Sequence, residues 1–362
     1  MRICVVGGSG FVGTRLIDLL QGSEYDLLNI DQQISNEYPQ ITQVVDIRDE
    51  QALNDYLKNQ DVVVLLAAVH RDDITPKSLY YDINVTGLRN VLQAMDKNHI
   101  KRLVFTSSVA VYGMNKDNPG EEDSKDPFND YGKSKLAGEI VLREWYEKHP
   151  EWNIEIVRPT VIFGERNRGN VYNLLREIVN GHFLMVGDGK NMKSMCYVGN
   201  VAAFLKYLIE NRTNGFEVFN YIDKPDLTTN ELISLVEEKL NLSLPSVHIP
   251  YWIGLMGGYC FDLLASITRK KMIISSVRVK KFCATTQFDI TKIKTTDFIP
   301  PYTLQEGLER TLNFEFGKMN LDASDENFSK PNIIESEDCK NTIKINKKSE
   351  PVSKSTIHDE TN

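Results

Sequence analysis

The sequence predicts an α/β protein built on a doubly wound parallel sheet, with a smaller C-terminal α/β lobe for substrate. A glycine-rich turn at 7–13 lies between an apolar, strand-like run and a helical run. Further short apolar runs, at 61–68 and 101–106, are separated by longer helical stretches, as in βαβ units. We assign residues 1–160 to the sheet domain, to which later segments return, and 161–316 to the lobe.

The composition is that of an ordinary globular protein, with 41% hydrophobic and 25% charged residues in a chain of 362. This length accommodates one domain and an appended lobe. The formal net charge of −8 leaves no basic excess to neutralise phosphates, so we expect no nucleic-acid partner.

The sequence gives no signal for export or for crossing a membrane. The N-terminus reads directly into a strand, so we expect no secretory signal peptide. No uninterrupted apolar run reaches the length of about 18 residues that a spanning helix needs. The cysteines lack the spacing of a metal site, so we expect reduced thiols and no metal. They are Cys4, Cys196, Cys260, Cys283 and Cys339.

The turn at 7–13 is typical of a dinucleotide-binding loop, although its spacing is G-x-x-G-x-x-G rather than G-x-G-x-x-G. Gly7 permits a tight turn, Gly10 lets a pyrophosphate approach the backbone, and Gly13 lets the next helix pack closely. The N–H groups at the start of that helix face the phosphates. A plain glycine-rich turn is the alternative, but the position between strand and helix favours a Rossmann-type domain.

The acid that ends the second strand indicates which cofactor is bound. Asp31 lies about 20 residues beyond the glycines, where a carboxylate binds the adenosine ribose and repels a 2′-phosphate. Gln32 and Gln33 follow it, and neither can receive that phosphate as an arginine would. We therefore expect NAD rather than NADP, the alternative being a simple strand-end cap. A third strand predicted at 44–47 places Asp46 at the adenine edge.

The strand predicted at 61–68 ends in two small residues, Ala67 and Ala68, against which a cofactor can lie. A polar loop, 70–73, follows at the carboxyl edge of the sheet, where ligands bind in such folds. Its His70 and Arg71 either contact an anionic substrate or are solvated. A long helix is then predicted over 77–98.

Tyr131 and Lys135 stand four residues apart, on one face of a helix predicted over 131–145. This stretch lacks proline and is rich in good helix formers, and Asn129 or Asp130 can cap its start. A lysine in this position holds a phenol partly ionised, which makes the tyrosine a general base. The spacing alone would also fit two residues on a solvated helix.

The combination of motifs resembles the extended short-chain dehydrogenase/reductases. The matching residues are the three glycines, Asp31, Asn84, Ser108 in TSSVAVYG, Tyr131 and Lys135, in that order. The TSSVAVYG segment is similar to the nucleotide-sugar 4-epimerase branch. The 4,6-dehydratase branch carries Thr-Asp-Glu there, and this sequence does not.

The resemblance implies a role for each matching residue. Tyr131 would exchange a proton with the sugar 4-hydroxyl, and Ser108 would hydrogen-bond the same hydroxyl. Lys135 would bind the nicotinamide ribose and lower the tyrosine pKa, with Asn84 supporting the cofactor side. Further cofactor contacts are implied for Phe11, Val12, Ile47 and Pro159.

For the substrate lobe, the segment RPTVIFG at 158–164 resembles the family's crossing out of the cofactor domain. Asn170 starts a helix, where it either binds a diphosphate or caps the helix. Lys193 stands where related epimerases carry an arginine on the nucleotide diphosphate, and lysine lacks the bidentate fork of arginine. Arg278 lies near another arginine position that contacts the substrate diphosphate in relatives.

The segment 249–267 is apolar and aromatic, is interrupted by Gly254, Gly257 and Gly258, and is followed by basic residues at 269–271 and 278–281. Such a pattern is typical of a segment that lies at a membrane surface. The pattern by itself slightly favours the alternative, a buried helix pair of the substrate lobe.

Four further segments are LLAAVHRDDITPKSLYYDINV, RPTVIFGERNRGNVYNLLRE, FNYIDKPDL and SSVRVKKFCATTQFD. Through them the chain, up to about residue 316, resembles the epimerases that convert undecaprenyl-diphosphate N-acetylglucosamine to its N-acetylgalactosamine counterpart. This resemblance implies a lipid-linked sugar substrate, peripheral binding at the cytoplasmic face of the bacterial inner membrane, a role in surface polysaccharide synthesis, and a homodimer. The alternatives are a soluble UDP-N-acetylglucosamine 4-epimerase, an NAD-dependent sugar oxidoreductase and a non-catalytic NAD-binding scaffold. The polar composition of 317–362 predicts disorder.

Overall fold

Parallel strands form the main sheet of the computed structural model, which describes residues 1–71, 74–114, 116–211, 213–244, 248–268 and 275–317. Within these residues the strands are β1 (Arg2–Val6), β2 (Asp26–Asp31), β3 (Thr42–Val44), β4 (Val62–Leu65), β5 (Arg102–Thr106), β6 (Asn153–Pro159), β7 (Val161–Phe163), β8 (Met185–Val186), β9 (Met192–Tyr197), β10 (Phe216–Tyr221), β11 (Asp223–Thr228) and β12 (His248–Ile249). The main sheet has seven strands in the order β10-β6-β5-β4-β1-β2-β3. The predicted α/β class is confirmed.

Helices cover both faces of this sheet and build the lobe. In the same described residues they are α1 (Phe11–Leu20), α2 (Glu50–Tyr56), α3 (Ser78–Tyr81), α4 (Leu88–Lys97), α5 (Asp130–Lys148), α6 (Asn170–Val179), α7 (Val198–Glu210), α8 (Thr229–Leu240), α9 (Tyr251–Thr268), α10 (Ser276–Cys283) and α11 (Leu304–Phe316). Side-chain caps begin several of them, including the capping boxes of Thr228 with Glu231 and Thr303 with Glu306.

Side chains alternate between the two faces of the sheet, because successive residues of a strand point in opposite directions. On β1, Ile3 and Val5 join the core beneath α1 and α7, whereas Cys4 and Val6 join the core beneath α2, α4 and α5. The strands are therefore buried on both sides, as parallel sheets are. This arrangement aligns the carboxyl ends of β1, β2, β4 and β5 along one edge.

Two predicted elements differ from the structure. The third strand is Thr42–Val44, so Asp46 and Ile47 follow it rather than lie in it. The predicted helix at 77–98 is present but changes character at Asp82–Gly87, which forms a π-helical turn between α3 and α4. Such single turns are commonly found at functional sites, and this one contains Asn84.

The lobe contains a three-stranded sheet, β11-β9-β7, and a two-stranded pair, β12-β8. All described residues fall within one compact unit, Met1–Leu321. The expected boundary near residue 160 stays a prediction, as does the disorder expected of 317–362, since 318–362 lie outside the described residues.

The apolar segment after residue 249 forms one continuous helix, α9, in spite of its three glycines. The expectation of a buried helix pair is wrong, because Gly258 is the only buried residue of this fully described helix. Gly258 packs against the backbone of Ser276 at the start of α10. None of the helices in the described part of the chain combines the length and hydrophobicity that crossing a bilayer requires.

Candidate active site

The glycine turn joins β1 to α1 at the carboxyl edge of the sheet. Gly7 has a φ of +94°, and a Cβ there would lie 2.4 Å from the backbone nitrogen of Ala67. A Cβ on Gly13 would lie 2.5 Å from the Cα of Gly8, so this glycine lets α1 pack on the turn. Gly10 is the N-cap of α1 and carries no capping side chain, and Phe11 and Val12 begin the helix, half-buried.

Asp31 lies directly beside this turn. Its carboxylate accepts hydrogen bonds from the backbone N–H groups of Ser9 (3.0 Å) and Gln33 (3.1 Å). Burial raises the pKa of Asp31, and these N–H groups oppose the rise. The second strand and the glycine turn therefore present one acidic, partly exposed group where a ribose would lie.

The side chains of Asp46 and Ile47 both make contacts within the protein. The Asp46 carboxylate accepts a hydrogen bond from Arg48 Nε at 2.9 Å, and Arg48 lowers the pKa of Asp46. The Ile47 side chain is buried in the core, where Gly87 leaves room for it. Contacts of either residue with a cofactor stay predictions.

Asn84 connects the loop after β4 to the helix that carries Tyr131. Its side chain accepts from Val69 N (2.8 Å) and donates to Val69 O (3.0 Å) and to Ser134 Oγ (2.8 Å). Ser134 in turn donates to the carbonyl of Tyr131 at 2.8 Å. The buried Asn84 thus fixes the Ala67–Ala68 edge relative to the start of α5.

Tyr131 and Lys135 lie on α5, which Asn129 caps through its side-chain oxygen and the N–H of Gly132 at 2.8 Å. Lys135 is buried, and its Nζ donates to the carbonyl of Thr106 at 2.7 Å. Burial lowers the pKa of the Lys135 ammonium to about 7, and the nearby Glu139 carboxylate opposes this effect. The lysine therefore reaches from α5 to the end of β5, two residues before Ser108.

The two serines after β5 have different surroundings. Ser107 is buried and its hydroxyl donates to the Glu139 carboxylate. Ser108 caps the short 3₁₀ turn 109–112 by accepting from Ala110 N at 3.2 Å. This turn abuts α5, since a Cβ on Gly132 would lie 2.6 Å from the carbonyl oxygen of Ala110. The Ser107 hydroxyl is therefore engaged by Glu139, whereas Ser108 begins the turn that packs against the start of α5.

A buried polar cluster, which the sequence analysis did not predict, lies beneath Ser108, Tyr131 and Lys135. Arg158 bonds the Glu139 carboxylate twice and donates to Tyr112 OH at 2.6 Å. Tyr112 donates to Asn220 Oδ1 at 2.8 Å, and Asn220 N donates to Glu121 Oε1 at 2.8 Å. One feature of the sequence could have indicated that Glu139 belongs to the site. Tyr131, Lys135 and Glu139 follow one another at intervals of four residues, which places all three on one helix face.

A cavity of about 310 Å³ adjoins Tyr131. Phe128, Tyr80 and Lys77 are among the residues that line it, and Lys77 forms a 2.7 Å ion pair with Asp130. His70 and Arg71 are exposed, and residues 72–73 of their loop lie outside the described residues. Pro159 ends β6 and is buried.

The predicted substrate residues of the lobe fall into two places. Lys193 on β9 donates to the carbonyls of Lys281 (2.8 Å) and Ala284, so it holds the C-terminal end of α10, whose first turn bears Arg278. Burial lowers the pKa of Lys193 to about 8. Asn170 is exposed at the first turn of α6, a different helix. The structure thus brings Lys193 and α10 together, and a role of Asn170 in binding a diphosphate stays a prediction.

Comparisons with known proteins agree with this geometry. The model of the NAD dependent epimerase/dehydratase family matches residues 3–221. A protein of Escherichia coli O157:H7, N-acetyl-alpha-D-glucosaminyl-diphospho-ditrans,octacis-undecaprenol 4-epimerase, is 59% identical over 316 residues, which are 87% of this chain and 95% of that protein. A UDP-glucose 4-epimerase of Vibrio cholerae is 28% identical, over 85% of this chain and 94% of that protein.

Solved structures share the fold. A UDP-glucose 4-epimerase of Thermotoga maritima and a UDP-N-acetylglucosamine 4-epimerase of Methanobrevibacter ruminantium each superpose with a TM-score of 0.71 at 22% identity. Each comparison covers 88% of this chain and 99% of the other. The expected α/β fold and NAD cofactor are confirmed, and the chain belongs to the NAD-dependent epimerase/dehydratase family.

Proposed function

We propose that this protein is an NAD-dependent 4-epimerase that interconverts N-acetylglucosamine and N-acetylgalactosamine while the sugar is linked to undecaprenyl diphosphate. The observation that carries this proposal is the 59% identity to the Escherichia coli enzyme named for that reaction, which extends over 95% of that enzyme. The match covers 316 residues, so it extends beyond the sheet domain into the lobe.

The residues at the carboxyl edge of the sheet suit NAD. Gly10, the N-cap of α1, carries no side chain and leaves its backbone open to a pyrophosphate. Asp31 offers a carboxylate for the adenosine ribose, and Lys135 offers an ammonium for the nicotinamide ribose. Bound there, NAD would supply a hydride acceptor and donor for C4 of the sugar.

The protein's own residues would handle the proton. In this proposal Tyr131 takes the proton from the 4-hydroxyl and later gives it back, and Ser108 holds that hydroxyl by a hydrogen bond. A charged Lys135 lowers the pKa of the phenol, because an opposite charge favours the phenolate. The buried Asn84 keeps α5 in register with the cofactor edge through Ser134.

The experiment that tests this function compares two substrates. Purified protein receives N-acetylglucosamine linked to undecaprenyl diphosphate in detergent and, separately, UDP-N-acetylglucosamine. The sugars are then released and identified. We expect the galacto product from the lipid-linked substrate. Galacto product from UDP-N-acetylglucosamine alone would instead establish a nucleotide-sugar epimerase.

The same assay distinguishes the remaining alternatives. A net change in nicotinamide absorbance with either substrate would indicate an oxidoreductase rather than an epimerase, since an epimerase returns the hydride. Bound NAD without turnover of either substrate would indicate a binding protein. The presence of Ser108, Tyr131 and Lys135 together argues against this last possibility.

We also propose that the protein acts at the cytoplasmic face of the bacterial inner membrane, as a peripheral protein. A lipid-linked substrate lies in a bilayer, and α9 presents an exposed apolar surface beside the basic helix α10. Sedimentation with vesicles of phosphatidylethanolamine and phosphatidylglycerol tests this. Absence of the protein from the vesicle pellet at low salt would contradict it.

A homodimer is the further expectation. Tyr81 on α3 and Ile140 on α5, which belong to the helices that pair in related dimers, are exposed in the single chain. Light scattering should give twice the mass of one chain, and Ile140→Glu should halve it. An unchanged monomer mass in the wild-type protein would contradict the dimer.

A further inference from the structure

Helix α9 exposes more large apolar side chains to solvent than the surface of a soluble protein usually does. Trp252 is 62% exposed, Leu263 64% and Ile267 71%. Further exposed apolar side chains on this helix are Tyr251, Ile253, Met256, Tyr259, Phe261 and Leu264. A contiguous apolar surface of this kind marks a site that binds lipid or another apolar partner.

A cavity of about 440 Å³ opens at the N-terminal end of this helix. Val186, Tyr251, Cys283 and Ala284 supply apolar or weakly polar lining, and Lys280 stands at one side. The helix is held there by close packing, because a Cβ on Gly254 would lie 2.4 Å from Val186 Cγ1. The exposed surface of α9 therefore begins at the cavity.

Cationic side chains connect this cavity to the reaction site. Lys281 Nζ lies 4.7 Å from the ring centre of Phe128, and Phe128 lines the cavity beside Tyr131. The neighbouring Lys280 lines the cavity at the foot of α9. Lys193 fixes the backbone of α10 next to these lysines by donating to the Lys281 carbonyl. Along the protein surface, Tyr131 is therefore followed by Lys281 and Lys280, then by the apolar cavity, and then by the exposed face of α9.

We propose that this cavity binds the first isoprene units of the lipid-linked substrate, and that the exposed face of α9 contacts the rest of the polyprenyl chain. The inference rests on the function proposed above. A sugar, a diphosphate and an apolar chain follow one another in that substrate in the same order. The cavity holds roughly fifteen water-sized groups at about 30 Å³ each, which is room for a few five-carbon units.

Charge favours this occupant over a free anion. Asp188 also lines the cavity, and its carboxylate would repel a phosphate placed within it. A neutral hydrocarbon chain meets no such repulsion and buries apolar surface there. The diphosphate is then expected at the side of Lys280 and Lys281.

Protection of Cys283 from a thiol reagent tests occupancy without measuring activity. Cys260, which is exposed, and Cys339 are first replaced by serine, while Cys4 and Cys196 are fully buried. Labelling by N-ethylmaleimide is followed at pH 9, because burial raises the pKa of Cys283. We expect geranyl diphosphate to slow labelling, and inorganic diphosphate and UDP to leave it unchanged.

Three results would overturn the assignment. Labelling that geranyl diphosphate does not slow would mean that no prenyl chain enters the cavity. Equal protection by inorganic diphosphate would make it a phosphate site. Protection by UDP would make it a nucleotide site.

A second experiment tests α9 by substrate chain length. The KM values are compared for N-acetylglucosamine diphosphate carrying an undecaprenyl or a geranyl chain. Ile267→Ser should raise the ratio of the long-chain to the short-chain KM about tenfold, as expected for the loss of one buried aliphatic side chain. Ile299→Ser is the matched control, since Ile299 is 83% exposed outside α9, and it should leave the ratio unchanged.

Equal ratios of the long-chain to the short-chain KM in the two variants would show that α9 does not bind the lipid.

The proposed function and the proposed lipid site fail in different ways. If neither lipid-linked substrate yields galacto product, the proposed function is wrong. If product forms but Cys283 is not protected and Ile267→Ser behaves like Ile299→Ser, the function stands and the lipid site does not.

Discussion

Arg158 and Glu139 form a bidentate ion pair in the protein interior, with Nε to Oε1 at 2.9 Å and Nη2 to Oε2 at 2.6 Å. The side chains are 3% and 8% exposed. Glu139 lies one helical turn after Lys135, and it also accepts from Ser107, the neighbour of Ser108. The pair therefore joins β6, α5 and the end of β5 directly beneath the candidate catalytic residues.

Removing both partners of this pair should cost less stability than the sum of removing each one alone. Glu139→Leu leaves a buried guanidinium uncompensated, and we expect the free energy of unfolding to fall by about 3–5 kcal/mol. Glu139→Leu combined with Arg158→Met should lose less than the sum of the single changes. Urea unfolding of the four proteins measures this, and strict additivity would contradict the coupling.

Tyr131→Phe should abolish turnover while NAD stays bound, because only the proton-exchanging hydroxyl is lost. The bound cofactor is quantified after denaturation, and product formation is followed with the lipid-linked substrate. Tyr81→Phe, on an exposed tyrosine of α3, is the control. Substantial epimerase activity in Tyr131→Phe would remove the proposed role.

The two adjacent serines should respond differently. Ser108→Ala should lower kcat about a hundredfold, the typical size of a lost hydrogen bond to a reacting group. Ser107→Ala should instead lower stability by about 1.5–3 kcal/mol, because its hydroxyl bonds the buried Glu139 carboxylate. Steady-state kinetics and urea unfolding of both variants measure these effects. Loss of activity in Ser107→Ala with activity retained in Ser108→Ala would instead assign the catalytic hydrogen bond to Ser107.

Lys135 should make stability depend on pH. Its pKa is lowered by burial to about 7, so between pH 7 and the unfolded-state value near 10.5 the unfolded chain binds the extra proton. Stability therefore rises with pH in this window, by about 1.4 kcal/mol per pH unit. The unfolding free energy of the cofactor-free wild type minus that of Lys135→Met should therefore rise from pH 7 to pH 9. A constant difference would contradict a buried, deprotonating lysine.

Asp31 should set the preference for NAD. Asp31→Ser removes the carboxylate that would repel a 2′-phosphate, a repulsion of several kcal/mol. We expect the ratio of the NADP to the NAD dissociation constant to fall about a hundredfold in cofactor-stripped protein. Asp26→Ser changes an exposed acid at the other end of β2 and serves as the control. An unchanged ratio in Asp31→Ser would show that another group selects the cofactor.

Several features followed from local sequence alone. The glycine turn, Asp31 at the end of β2, and the Asn129-capped helix with Tyr131 and Lys135 depend on residues close together in the chain. Turn geometry, strand burial and helix capping are local effects, so the pattern of residues specifies them. The resemblance to the family came from the same local motifs, and the family comparison confirmed it.

Other features were decided by contacts between distant parts of the chain. Glu139 and Arg158 come from separate elements, and nothing in either stretch indicates the pairing. Asn84, within the π-turn, bonds Val69 and Ser134, which lie 15 and 50 positions away. The contacts of Lys193 with the carbonyls of Lys281 and Ala284 likewise join distant segments, and its contact with a diphosphate stays a prediction.

Local backbone preferences and side-chain periodicity specify the strand–turn–helix units and the residues at the cofactor edge, so these could be predicted from the sequence. The exposure of α9 depends on tertiary contacts and could not be predicted in the same way. An apolar helix is compatible with either position, and the outcome depends on whether neighbouring elements cover it. Here α9 packs through Gly254 and Gly258 and leaves its large side chains outside.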